Sequence, residues 1–205
     1  MKKAGFATRP IKKKQVKEEV IYSDVGVVRR FIAYIIDWFF SDLAMALPVV
    51  LIYSTINQTT EMNIDLFMMK EPYNYIAGML AILVGTIYFV LIPLYHHQGQ
   101  TIGKRICSFK IVREDGAVLD FKTLLIRNAL ILFIVEGSLF TVSKYIREIL
   151  AIFTGIFEFM KYPFYIGIFF GVVSIVLVVC TRKRKALHDL AAHTKVMMCE
   201  KVKIS

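Results

Sequence analysis

Three acidic residues of this chain fall inside apolar runs: Asp37, Asp42 and Glu136. An ionised carboxylate at mid-helix in a bilayer costs ~2.5–3.5 kcal/mol on insertion scales, so such a residue faces a bundle interior, finds a partner or binds a proton. Asp37 follows Arg30 by seven residues, nearly two helical turns, which puts both side chains on one face about 10 Å apart along the axis. Arg30 can snorkel to the headgroups and Asp37 cannot. The partners open to Asp37 are Arg30 bent inward, a residue of a cytoplasmic motif, a bound cation, or water. Asp42 lies about 140° further round the helix and reads as part of a helix-packing polar patch. Glu136 is the other candidate buried carboxylate where its segment inserts, and is simply solvated where it does not. The chemistry these acids could perform is reversible binding of a proton or monovalent cation.

Other constellations are weaker. Gly99-Gln100-Thr101-Ile102-Gly103-Lys104-Arg105 invites a phosphate-loop reading, but it is one residue short between the glycines and lacks the Ser or Thr after Lys that would reach Mg²⁺. A structural turn leading out of an apolar run is the favoured reading. His188 and His193 are five apart with no zinc-protease pattern, and Cys107, Cys180 and Cys199 stand far apart. No metal site, disulfide framework or cofactor is expected. No nucleophile, base and oxyanion donors group by spacing, so an enzyme is not expected.

The elements that must hold these residues are membrane helices. Of 205 residues 57% are hydrophobic, above the roughly 45–50% of soluble domains. Phe31–Ile56, Tyr75–Tyr95 and Pro163–Cys180 can each cross a core ~30 Å thick, and Leu124–Val142, with Arg127 at its edge and Glu136 within, is a candidate third span in chain order. The first apolar run is too long for a signal peptide and is expected to stay as an anchor. The basic residues number nine in 1–30, one in 57–75, six in 97–127, three in 143–162 and seven in 181–205. This asymmetry predicts cytoplasmic N- and C-termini and an even number of crossings. The net charge of +10 is mostly cytoplasmic flank, suited to anionic lipids and not to nucleic acid.

Between the last two spans, Ile146, Ile149, Leu150, Phe153, Ile156, Phe157 and Met160 keep helical spacing, with Arg147, Thr154, Glu158 and Lys161 opposite. This is either an interfacial amphipathic helix or a stripe packed on the other helices. Residues 107–121 give a hairpin signal around Asp115-Gly116, and Thr194–Val202 is expected to pair with it. Ala77, Ala81 and Gly85 line one helix face, and Gly167 with Gly171 forms a small-residue pair, both implying close helix contacts within the chain or between protomers. The fold class expected is an all-α integral membrane protein of about four transmembrane helices with an interfacial helix and a small cytoplasmic β-hairpin. A basic tail (1–23), a membrane domain (24–198) and a short C-terminal tail (199–205) divide the chain.

Arg29-Arg30-Phe31-Ile32-Ala33-Tyr34-Ile35-Ile36-Asp37, the Gly99–Arg105 motif, Glu114-Asp115-Gly116, Arg127-Asn128 and Arg184-Lys185-Ala186-Leu187-His188-Asp189-Leu190-Ala191-Ala192-His193-Thr194, in that order, resemble the RDD family of membrane proteins. The resemblance places Arg30, Asp37 and Asp189 at the three naming positions, with His188 beside the last. His193 stands where Gly is common in similar sequences. The family implies a membrane architecture of unsettled activity, with transport, including sodium/proton exchange, suggested for some members. Arg30 and Asp189 fall at similar depth, so an ion pair between them is expected. Two functions follow as expectations: transport of a small cation or proton by Asp37 and Glu136, or a membrane adaptor or regulator that binds a partner protein, a second copy or anionic lipid.

Overall fold

The computed structural model describes residues 25–128 and 140–199. Three described helices are long and apolar enough to cross a membrane: Val27–Asn57, Tyr73–His96 and Glu158–Cys180. These correspond to the first, second and fourth runs read from the sequence. The first, α1 (Val27–Asn57), buries one residue per turn, Ala33, Asp37, Ser41, Met45 and Val49. Its outward face carries Phe31, Phe39, Leu43, Leu47 and Leu51. An apolar exterior around a partly polar seam is the arrangement that lipid, not water, stabilises.

The second crossing begins as α2 (Tyr73–Thr86) and continues as a π-helical stretch, Ile87–His96, that contains Pro93. Its small residues Ala77, Gly78, Ala81 and Gly85 are buried. A methyl group on Gly85 would meet Met45 of α1 and Val142 within 3 Å, and one on Gly78 would meet Leu66 and Ile149 equally closely. The close contacts implied by this stripe are therefore made within one chain.

The expected third span, Leu124–Val142, has residues 129–139, and with them Glu136, outside the described residues. Its two described flanks meet the same residue: Asn128 donates to the Phe89 carbonyl and the Phe140 ring lies 5.5 Å from that of Phe89. From there α5 (Thr141–Thr154) runs alongside α2 in the opposite sense, Val142 beside Gly85 and Ile149 beside Gly78. Of the amphipathic stripe, Ile146 and Ile149 pack on neighbouring helices, joined by Ile152 from outside it, while Leu150, Phe153, Ile156 and Phe157 remain exposed. Arg147, placed on the polar face from the sequence, is buried: its guanidinium donates to Ser143 Oγ at 2.7 Å and lies over the Phe164 ring. The last long helix, α6 (Glu158–Cys180), buries only Gly167 and Ser174.

Apart from the short turn Leu66–Met68, the remaining elements, α3 (Ile102–Ile106), β1 (Phe109–Arg113), α4 (Phe121–Leu124), α7 (Leu187–Ala191) and β2 (Thr194–Met198), form a cap on one end of the bundle. β1 and β2 pair antiparallel, Phe109 opposite Met198 and Arg113 opposite Thr194. The pairing expected of Thr194–Val202 is present, whereas the second arm of the hairpin, residues 117–121, is not a strand. Local hydrogen bonds take that segment instead. Asp115 accepts from the Ala117 amide, Asp120 caps α4 through the Thr123 amide, and Arg113 bridges both carboxylates at 2.7 and 3.3 Å. Asp side chains that satisfy nearby amides in this way favour turns and helix starts over strands. The buried faces of β1 and β2 pack on Val25, Ala33, Val90 and Leu124.

Candidate functional site

Asp37 is 2% exposed and its two oxygens accept four hydrogen bonds. Oδ1 takes the Tyr88 hydroxyl and the Gly103 amide, each at 2.8 Å. Oδ2 takes the Thr101 hydroxyl at 2.5 Å and the Lys104 ammonium at 3.2 Å. The Thr101 hydroxyl in turn accepts from Lys104 at 3.0 Å. Of the partners open to Asp37 from the sequence, the structure supplies the motif that follows the second long helix, joined by Tyr88 of that helix. The segment that resembles a phosphate loop does cradle an anion, and that anion is a carboxylate of its own chain.

Local geometry explains how the motif reaches so deep. After His96 the chain reverses at Gly99, whose φ of +90° is in the region that favours glycine and whose missing Cβ leaves room for the Ile111 carbonyl. The returning chain enters α3 with Gly103 against α1, where any Cβ would collide with the Ala33 carbonyl and lie 2.9 Å from the Asp37 carboxylate. Only glycine permits this approach, and it aims an amide at Oδ1.

The second buried carboxylate, Asp189, is also 2% exposed. Arg127 Nη2 and Nε donate to its Oδ1 at 2.6 and 3.1 Å, the Thr194 hydroxyl approaches at 3.3 Å and the Ala186 amide donates to Oδ2 at 3.3 Å, which caps α7. Burial alone pushes the Asp189 carboxyl up. The charges of Arg127 and His188 and the hydrogen bonds outweigh it and hold the group at about 2. The ion pair expected between Arg30 and Asp189 is formed by Arg127 instead. Arg30 donates to the carbonyls of Val25 and Arg184 at 3.1 and 2.5 Å, joining α1 to the segment after α6. His188 Nε2 lies 3.9 Å from Asp189.

Asn128 performs a related task. Its side-chain amide donates to the Phe89 carbonyl at 2.5 Å, both residues being buried, and ties the segment after α4 to the π-helical stretch. Asn128→Ala will cost about 0.5–1.5 kcal/mol, the net worth of one such hydrogen bond, measured as a lower thermal midpoint of the purified protein in detergent. His193 adopts φ +49°, the left-handed region, and its carbonyl accepts the Glu114 amide at 3.0 Å. His193→Gly will raise stability by about 0.5–1 kcal/mol, because a Cβ is unfavourable in that conformation, and the same thermal measurement checks it.

Arg30, Asp37, His188 and Asp189 line one cavity of about 530 Å³ between α1 and α6, together with Lys104, Arg127 and Asn128. Four of the five residues singled out from the sequence are thus brought together, and Glu136 lies outside the described residues.

The pattern of these positions matches the RDD family model over residues 25–193. The chain belongs to the RDD family. An uncharacterised protein of Bacillus subtilis (strain 168), YckC, is 26% identical over 176 residues, spanning 86% of this chain and 85% of that protein. No solved structure matches. In this RDD protein two buried carboxylates are gripped from within the chain, Asp37 by Tyr88 and the Thr101–Lys104 segment, and Asp189 by Arg127 together with the Ala186 amide of its own helix. Thr101, Gly103 and Lys104, which grip the first, and Arg127 and Thr194, which grip the second, stand in motifs quoted from the sequence but were not assigned as partners there, and Tyr88 was not singled out at all. The signals that could have found them were the anion-cradle character of Gly99–Arg105 and the lone Arg127 at the rim of an apolar run. Among the described residues no group of three or more His, Cys, Asp or Glu side chains is arranged to hold a metal ion.

Proposed function

We propose that this RDD protein is a multi-pass protein of the cell membrane, with cytoplasmic termini and cap, which works as a membrane adaptor or regulator and not as an exchanger at Asp37 or as an enzyme. The observation that carries this reading is the saturation of Asp37. An ionised carboxylate has about four acceptor sites, and all four here are taken by groups of the same chain. A cation could bind only by displacing one of them. The basic segment Arg182-Lys183-Arg184-Lys185 at the cap end favours an anionic cytoplasmic leaflet.

Purified protein in vesicles will give Na⁺, Li⁺ and H⁺ fluxes equal to those of empty vesicles. Mild-detergent extraction of native membranes will recover a stoichiometric protein partner or a retained anionic lipid. Ion movement that disappears in Asp37→Asn would end the proposal. Epitopes placed at the two ends will both be reached only from the cytoplasmic side.

Exchange of a proton or monovalent cation is the second reading, and one observation favours it. Asp42 Oδ1 and the Tyr145 hydroxyl are buried without a hydrogen-bond partner among the described residues. Should flux be found, the acid responsible is then Asp42, and Asp42→Asn will abolish it while Asp37→Asn affects folding first.

A further inference from the structure

We propose that the cavity between α1 and α6 binds one anionic phospholipid of the cytoplasmic leaflet, an inference that rests on the adaptor reading and names its ligand. α6 touches α5 and α7 directly, with Arg147 over Phe164 and the Leu187 amide on Ser174 Oγ, and its two buried residues, Gly167 and Ser174, are both in the cavity lining. The lining residues of α6 run from Gly167 to Val179, a rise of about 18 Å, close to one leaflet of a hydrocarbon core ~30 Å thick. Along that length apolar side chains line the cavity, among them Phe31 and Tyr34 of α1 and Val172 and Ile175 of α6. The volume, about 530 Å³, suits a glycerol backbone with part of one acyl chain, the remainder lying in the bilayer.

Charge selects the headgroup. Arg30, Lys104, Arg127 and His188 line the cap end against the carboxylates of Asp37 and Asp189, whose oxygens are already occupied by donors of the protein. Just past the end of α6, Arg182 and Lys183 are exposed in the same headgroup zone. An anionic headgroup is attracted there, while a choline headgroup brings a second cation towards the nitrogens.

The test is native mass spectrometry of the full chain released from nanodiscs holding phosphatidylglycerol and phosphatidylcholine of equal chain length. Retention of phosphatidylglycerol will exceed that of phosphatidylcholine about tenfold. Val172→Trp and Ile175→Trp, at positions 54% and 64% exposed, will each fold and reduce the retained lipid about tenfold by filling the cavity. Ile166→Trp, equally exposed at 55% but outside the lining, will not. Equal retention of the two lipids, or tryptophan variants at Val172 and Ile175 that fold and bind as the parent does, overturns the assignment. So does displacement of the lipid by millimolar glycerol phosphate, which makes a free phosphate ester the ligand. The adaptor reading fails separately, through ion flux in vesicles. Absence of flux with equal lipid retention removes the lipid and leaves the protein partner.

Discussion

Asp37→Ala will lower the stability of this protein by about 3–5 kcal/mol, the usual cost of removing one member of a buried ion pair. The substitution strands the Lys104 ammonium, the Tyr88 and Thr101 hydroxyls and the Gly103 amide, each of which now donates to Asp37. Each buried orphan costs roughly 1–3 kcal/mol, reduced where water can enter. Asp37→Asn keeps one acceptor oxygen and will cost less, about 1–3 kcal/mol. Loss of the monodisperse peak on heating in detergent reads both. The contrast with an ion-exchange acid is direct, because an acid poised to bind cations is held under strain and its neutralisation leaves stability unchanged or raises it. A midpoint for Asp37→Ala within about 2 °C of the parent, in a protein where ~1 kcal/mol moves the midpoint by some 2–4 °C, would return Asp37 to the list of transport residues.

The Arg127–Asp189 pair gives the second large effect. Arg127→Met and Asp189→Leu will each cost about 3–5 kcal/mol, since either leaves a buried unpaired charge, while the double variant will cost far less than their sum. Costs that simply add would mean the contact carries no coupling. The pair also sets an acid limit. The Asp189 carboxyl is held at about 2 when folded, below its value near 3.9 in an unfolded chain. Its contribution, on the order of 2 kcal/mol, is therefore complete at neutral pH, begins to fall near the unfolded value and is lost as pH drops through the folded one. The midpoint of the parent will decline from about pH 5 downwards, most steeply between about pH 4 and 2, and Asp189→Asn will lack this component of the decline. An identical pH profile for that variant would remove Asp189 as its source.

The long helices were legible because their signal is additive: some twenty apolar residues in a row need no tertiary context. The strand pairing of Thr194–Met198 with Phe109–Arg113 was legible for a related reason, a short β-prone stretch following basic residues at the cap end. What the sequence hid was partnership. Arg30 and Asp189 are matched in depth, but depth does not fix azimuth, and Arg127 approaches Asp189 at 2.6 Å from an element whose path the apolar pattern did not settle. The choice among the partners open to Asp37 could not be made because its donors lie some 50 to 67 residues away in sequence, and the segment that carries three of them looks like a turn. The burial of Arg147 and Glu148 on α5 was equally hidden, since periodicity scores charge as exposure. Glu148 in fact accepts the Leu66 amide at 3.3 Å and pairs with Lys144 at 3.4 Å, fastening the α1–α2 connection to α5.

The two strands of the cap sheet stand about eighty residues apart, with α4, α5, α6 and α7 in between. Joining ends so distant carries a loop-closure entropy that a two-stranded ribbon alone does not offset. The ribbon can close only after α5 and α6 have been made and have brought Thr194 back beside β1, which makes it a clasp that registers a completed chain. A polypeptide halted before Thr194 would display β1 as a bare edge, the form of unpaired backbone that invites aggregation. Unfinished or wrongly threaded molecules of this protein should thus be marked for clearance by the same strand that locks the finished ones.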